Sequence, residues 1–561
     1  MRRSTASSLL AILTLGVILR LSPLTRFLYF GSDFGEYFQI SRGLSATGHV
    51  SLDYTGWGIT YPYFPGMFFP VVGTSFGGLE LGGSLSLVIP VLGAFVTVVA
   101  FLLTARFLHE DKAALIAAAF LAVAMPQAFV TAHPTPAALA ELLVAATLLL
   151  FLRLRGDARI WVLLIPLTAA LIVTHHLSAY FLLVMLVLAT VASSLVAGRV
   201  PSRSQAIYLA VLASLTFAYW FVYATTFRVA IITDVNLDPW WLPLAAFPVL
   251  VLLLAGAIAL RRKSPWRYRP RFPTSRHITL VYGLGFATIL VIEAASALFT
   301  IPGTAIRITP TTIMVFLPLA ALISFAAAGR KPTDFARDGI APSGWLLALV
   351  LSVAGGAVIA PRVLIPYRHM EYIVLVLAPL IGAGFALWSE GALRPRARGA
   401  AVAIAALLVV GGALTAIPST DELAGYEAGI RPSAVDAAFW AGLHVDGLVA
   451  TDHRLSTVLF GFGSVGATCD RAPLTLLASS FGEARSEMES VAAPSGNRRV
   501  DFVAIDRDLL SGVQLLPYEP VNPMPPGARA KFLDSPYIKI LDSGFAQVFF
   551  VNWGLVGGPS P

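Results

Sequence analysis

The sequence predicts a polytopic α-helical membrane protein that ends in a small extracytoplasmic α/β domain. Three observations predict it. Hydrophobic residues make up 57% and charged residues 12% of the 561 positions, a balance too oily for a soluble globular chain of this length. Apolar runs long enough to cross roughly 30 Å of hydrocarbon as helices fill the first three quarters. After about Pro418 the pattern changes to mixed, charge-bearing sequence.

Thirteen candidate spans follow, near 8–28, 83–105, 113–130, 135–152, 159–173, 177–197, 205–225, 240–260, 278–299, 310–329, 344–360, 371–388 and 400–417. The opening MRRSTASSLLAILTLGVIL has the basic start and apolar middle of a secretory signal. Arg20 and SPLT stand where a small-residue cleavage site belongs, so the segment reads as a retained first span. Every second connection is basic, the richest being RRKSPWRYRPRFPTSR from Arg261 to Arg276. With the N-terminal arginines these connections hold 22 of the 39 Lys and Arg. The positive-inside rule then puts the N-terminus and the basic loops in the cytoplasm. The net charge of +8 is thereby assigned to topology and lipid headgroups, and nucleic-acid binding is excluded. An odd number of spans leaves the C-terminal part outside.

The chain divides into a membrane part, 1–417, and an external α/β part, 418–561. The longest connection is the first external loop, 30–82, rich in aromatics and proline, whose Trp and Tyr are expected at headgroup depth. Prolines at external span ends (Pro302, Pro310, Pro361, Pro366) suggest broken helices beside a cavity. Beyond Pro418, RPSAVDAAFWAGL has helical spacing with Pro just inside its start. DGLVATD and RRVDFVAID read as buried strands, and YIKILDSGFAQVFFV as two strands joined by an Asp-Ser-Gly turn. There is no internal repeat and no GxGxxG nucleotide fingerprint. Cys469 is the lone cysteine, which excludes an intrachain disulfide and a cysteine-based metal site.

Asp33 and Glu36, in GSDFGEYFQISRGL, stand one helical turn apart and would face the same space over the bundle. Two carboxylates so close split their pKa values, which suits one of them to accept a proton; the plainer alternative is a solvated pair or a helix N-cap. His133 in TAHPTP, and His175 and His176 in LIVTHHLSAY, fall in short external turns. There an imidazole can bind a divalent metal beside a carboxylate, bond a phosphate, or simply be satisfied by water or backbone. Glu141, expected two turns below His133 on one helix, and Glu293 are acids inside spans, where each costs about 2.5 to 3.5 kcal/mol to insert. Arg307, Arg362 and Arg368 run against the inward bias of arginine, and a guanidinium kept outside suits an anion or a headgroup, or a salt bridge to Glu371.

SDFGEYFQISRGL in a long first loop, the following TYPYFPGMFFP, and PYRHMEYIVLVLAPLIGAGFA near the last spans resemble the GT-C superfamily of membrane glycosyltransferases. The resemblance implies transfer of a sugar from a polyprenyl-phosphate donor to a glycan, lipid or protein acceptor outside the cytoplasm, with inversion. It implies Asp33 as the first-loop catalytic carboxylate with Glu36 as companion, and Arg307 and Arg368, with Arg362 beside them, as donor-phosphate ligands. The oligosaccharyltransferase branch has a D-x-D-like motif in its second external loop and a C-terminal WWDYG, whereas this chain has TAHPTP and no WWDYG; DPWWLP is not that motif. Metal dependence therefore stays open. A transporter or lipid flippase, using Glu141 and Glu293, and a structural scaffold are the competing classes.

Overall fold

The computed structural model describes residues 3–197, 200–235, 256, 341–359, 364, 367–389, 405–406, 408–419, 428–469, 473–489, 499–513 and 523–556. Among these, five helical stretches are long and apolar enough to cross a membrane: Arg3–Thr25, Leu81–Leu108, Pro136–Arg153, His176–Ser194 and Arg203–Tyr223. A sixth is a bent pair, Asp111–Val123 with Met125–Ala132. The expected spans 278–299 and 310–329, and nearly all of 240–260, lie outside the described residues.

The bundle comprises α1 (Arg3–Leu21), α4 (Leu81–Ala94), α5 (Val96–Leu108), α6 (Asp111–Val123), α7 (Met125–Ala132), α8 (Pro136–Arg153), α9 (Trp161–Thr174), α10 (His176–Ala197), α11 (Arg203–Ala218), α12 (Thr225–Val235), α13 (Ala341–Ile359) and α14 (Tyr367–Ser389). Its core joins α5, α6, α8, α9, α10, α11, α13 and α14 through residues such as Phe107, Leu148, Phe181, Trp345 and Leu375. Between β1 (Tyr29–Phe30) and α4, the first loop folds into α2 (Phe34–Thr47), two single-turn 3-10 segments and α3 (Phe68–Phe76).

The run 113–130, expected as one span, bends by 56° between α6 and α7. Pro126 supplies no N–H, so the carbonyl of Ala122, four residues earlier, loses its helical donor. Arg20, fully buried from α1, takes that place: its Nη1 donates to Ala122 O at 3.2 Å and to Gly16 O at 2.8 Å, and its Nε to Thr131 Oγ1 at 2.7 Å. Its Nη2 donates to Gln127 Oε1, and Gln127 Nε2 donates to Glu141 Oε2 at 3.3 Å. Freed backbone at a break in an apolar bundle must find a partner, and Arg20 is that partner.

After Pro418, the described residues give β2 (Gly429–Ile430), α15 (Pro432–His444), β3 (Leu448–Ala450), α16 (His453–Gly463), β4 (Ala467–Thr468), β5 (Val500–Asp506), β6 (Tyr537–Asp542) and β7 (Ala546–Val551), with shorter helices between. The sheet order is β4-β3-β5-β7-β6. β3 runs parallel to β4 and β5, whereas β7 is antiparallel to β5 and β6. β2 pairs antiparallel with β1, Tyr29 opposite Ile430 and Phe30 opposite Gly429. The apolar core under this sheet continues into the first loop and the bundle, uniting Phe34, Met67, Phe68, Leu85 and Leu139 with Leu459, Phe462, Val503 and Phe549.

Candidate active site

β3 and β5 end at the same edge of the sheet, and chains leaving the carboxyl ends of parallel strands are well placed to build sites. α16 starts at the end of β3, its first turn opened by Asp452, whose side chain accepts from Leu455 N at 2.8 Å. His453 follows, fully buried, and Arg454 forms a buried ion pair with Asp506 at 2.6 Å at the end of β5. α16 thus carries its first residues at a fixed height above the sheet, facing α2.

Asp33 occupies the N-cap position of α2, yet its side chain makes no capping bond. The carboxylate turns outward instead. Its Oδ1 accepts from His453 Nε2 at 2.7 Å, and its Oδ2 from Tyr61 OH at 2.8 Å and Tyr37 OH at 3.4 Å. Burial alone would raise the Asp33 carboxyl, but the hydrogen bond and charge of His453, with Tyr61 and Tyr37, outweigh it and hold the group below its ordinary value. For His453 burial opposes charging, and the bonds to Asp33 and Cys469 with the charge of Asp33 win, lifting it to about 10. The two form an ion pair at neutral pH. Cys469 Sγ lies 3.6 Å from His453 Nδ1, and the Trp57 ring meets His453 edge-on at 4.6 Å. The Asp33 side chain remains 16% exposed.

Glu36 lies one turn away and is fully buried. It accepts from Tyr54 OH, from Trp57 N at 3.2 Å and from Gly58 N at 3.3 Å, so its oxygens are spent on holding the loop that carries Trp57 and Tyr61. Burial raises its carboxyl to about 7, with the charge of Asp33 adding to the shift against the three hydrogen bonds. Glu36 is thus raised and Asp33 lowered, chiefly by burial of the one and the His453 contact of the other. Tyr54, Trp57 and Tyr61 of the loop are organised around these two carboxylates.

The remaining predicted residues fall into separate roles. His133 caps the end of α7, its Nδ1 on Phe129 O at 2.8 Å and its ring 4.5 Å from Phe30; burial lowers it to about 4, leaving a neutral imidazole. Glu141 is not below His133 on one helix: the chain breaks between α7 and α8 at His133–Thr135, and Glu141 belongs to the Gln127–Arg20 relay at the bend. His175 sits in extended backbone between α9 and α10, with Nδ1 2.6 Å from Ser178 Oγ, which in turn meets Tyr372 of α14 at 2.5 Å. His176 packs against Phe64, ring centroids 5.2 Å apart, and against Phe227 at 4.4 Å. Burial and the charge of Arg368 push His175 down to about 3, so α14 brings Arg368 within electrostatic reach of this pair. Arg307, Arg362 and Glu293 lie outside the described residues.

One 3-10 turn links the two ends of the site. Tyr61 bonds Asp33 while Phe64 N bonds back to Tyr61 O at 2.9 Å and the Phe64 ring lies on His176. The turn therefore connects through the chain the residue that bonds Asp33 and the one that packs on His176. Among the described residues no group of three or more His, Cys, Asp or Glu is arranged to hold a metal ion.

His453 and Cys469 were not legible as site residues. The ATDHR segment reads as a strand ending, and only the parallel strand–helix junction marks it.

No family model matches the sequence, and no curated protein matches it. Solved structures of similar fold do exist. An Archaeoglobus fulgidus oligosaccharyltransferase, tethered with an acceptor peptide containing the NVT sequon, is 14% identical with a TM-score of 0.56, over 90% of this chain and 69% of that one. ArnT from Cupriavidus metallidurans in the apo state is 12% identical with a TM-score of 0.45, over 99% of this chain and 100% of that one. The same enzyme bound to undecaprenyl phosphate is 13% identical with a TM-score of 0.37, over 98% of this chain and 99% of that one. At this identity the likeness establishes the architecture alone: the chain has the fold of the GT-C membrane glycosyltransferases.

Proposed function

We propose that the protein is a membrane glycosyltransferase that moves a sugar from a polyprenyl-phosphate donor to an acceptor nucleophile on the extracytoplasmic face, with inversion. One observation carries this: Asp33 is kept ionised by three donors and is still 16% exposed, on a fold of the GT-C type. An ionised, oriented carboxylate can take the proton of a hydroxyl or orient an amide as the new glycosidic bond forms, a contribution of about 10² to 10⁴ in rate. The lipid phosphate leaves with the electrons of the old bond. We assign its charge to Arg368, within electrostatic reach of His175, and to Arg307 and Arg362. Glu36 acts on this reading by holding the Tyr54–Tyr61 loop, and the acceptor is a glycan, a lipid or a protein.

The transporter alternative leaned on acids inside the spans. Glu141 has a structural partner in Gln127, beside the buried Arg20.

The test is transfer by the full chain in nanodiscs, with a panel of polyprenyl-phosphate sugars and acceptors. Asp33→Asn, at equal folded amount, is expected to cut transfer at least about 100-fold. Full activity in that variant overturns the assignment of Asp33.

A further inference from the structure

We propose that His453, contributed by α16 from the far end of the chain, is a positioning residue for Asp33, so that the segment after Pro418 completes the active site rather than merely covering it. The inference rests on the role given to Asp33 above.

Three consecutive contacts carry it. His453, Thr457 and Gly461 are spaced i, i+4 and i+8, which puts them in one row along α16. Each meets the start of α2: His453 Nε2 bonds Asp33 Oδ1 at 2.7 Å, Thr457 Oγ1 donates to Ser32 O at 2.7 Å, and Gly461 lies against the backbone of Gly35. A Cβ on Gly461 would fall 2.3 Å from Gly35 O, and one on Gly35 would fall 1.8 Å from Thr457 O. The helices therefore touch backbone to backbone beside Asp33. That leaves the His453 ring a single direction, fixed behind by Cys469 and on its face by Trp57.

The groups facing the pair come from every neighbouring element. α2 supplies Glu36 and Tyr37, the loop Tyr54 and Tyr61, and the end of α7 His133. The start of α16 supplies Asp452 and Arg454, the latter engaged by Asp506. Beside Asp33, His453 is the imidazole that bonds the carboxylate directly, while Arg454 is spent on Asp506. Without it Asp33 is a buried acid beside Glu36, and both effects favour its protonated form.

Two measurements on the full chain in nanodiscs decide the matter. The first is a double-mutant cycle of His453→Gln and Asp33→Asn read by thermal unfolding, which needs no activity. Non-additive shifts in Tm are expected, the double variant losing little more than the worse single one. Additive shifts overturn the clamp. The second is the pH dependence of kcat for sugar transfer. Gln keeps an N–H donor but no charge, so the acid limb is expected to move up by about 1 to 3 pH units. The loss should grow as pH falls through the displaced limb and vanish above it, with KM for the donor lipid little changed. His453→Ala, lacking donor and charge, should lose kcat at every pH. An unshifted acid limb in His453→Gln overturns the positioning role. Coupled unfolding in a chain that transfers no sugar retires the glycosyltransferase reading and leaves the clamp standing.

Discussion

Asp33 and Glu36 sit one helical turn apart and differ in environment more than in position. Asp33 faces a cationic imidazole and two phenols and keeps some exposure; Glu36 is enclosed and meets only neutral donors. The consequence for Glu36 can be signed. Its folded pKa of about 7 lies above the ordinary carboxyl value, so the folded chain binds its proton more tightly than the unfolded one. Stability from this group is full below pH 4.5 and falls as pH rises to about 7. Glu36→Gln, which keeps an acceptor for the Trp57 and Gly58 amides, is therefore expected to reduce the fall in Tm between pH 5 and 8. A residual slope is expected from Asp452, raised to about 6 by its own burial. An unchanged Tm–pH slope in Glu36→Gln contradicts the burial of an ionisable group there.

At the scale of elements, the crossing of α2 and α16 makes a prediction with its own control. Gly461→Ala drives a methyl into the backbone of Gly35, where neither side can swing away, so the helices must separate. Overpacking of this kind costs about 1 to 3 kcal/mol, and here it also withdraws His453 from Asp33. Gly43, on the exposed side of the same α2, has nothing within 4 Å of an added Cβ. Gly43→Ala should thus stabilise the helix by about 0.5 to 1 kcal/mol and leave transfer unchanged. Equal effects of the two substitutions on unfolding and transfer would show that the helices do not meet as described. Apolar periodicity made the helices themselves legible, and the short apolar runs in VDFVAID and AQVFFV made the strands legible. The break between α6 and α7 was also written, in Pro126, but an apolar run continuous across it reads as one span. The α2–α16 contact was not legible: His453 and Asp33 are 420 residues apart, and a row of His, Thr and Gly on an apolar helix signals a close approach without naming its partner.

Across the whole molecule, the start and the end of the chain are built into one another. β1, two residues before Ser32, pairs with β2, and α2 lies on α16. Phe34, Met67 and Leu85 share an apolar core with Phe462, Val503 and Phe549. Burial at roughly 25 cal/mol per Å² makes such a shared core the dominant attraction between the parts, exceeding what any single polar contact supplies. Covalent continuity between Ser419 and Ala428 is then dispensable once the chain has folded. A protease site introduced into residues 420–427 and cut in the purified protein should leave two pieces that co-purify through size exclusion, unfold in one transition and retain transfer activity. Expression of residues 1–417 alone should give a chain without transfer activity, because the apolar face of α2 and the carboxylate of Asp33 both lose their partners. Pieces that separate on cutting, or a shortened chain as active as the whole, would mean that the two ends merely adjoin and that α16 takes no part in holding Asp33.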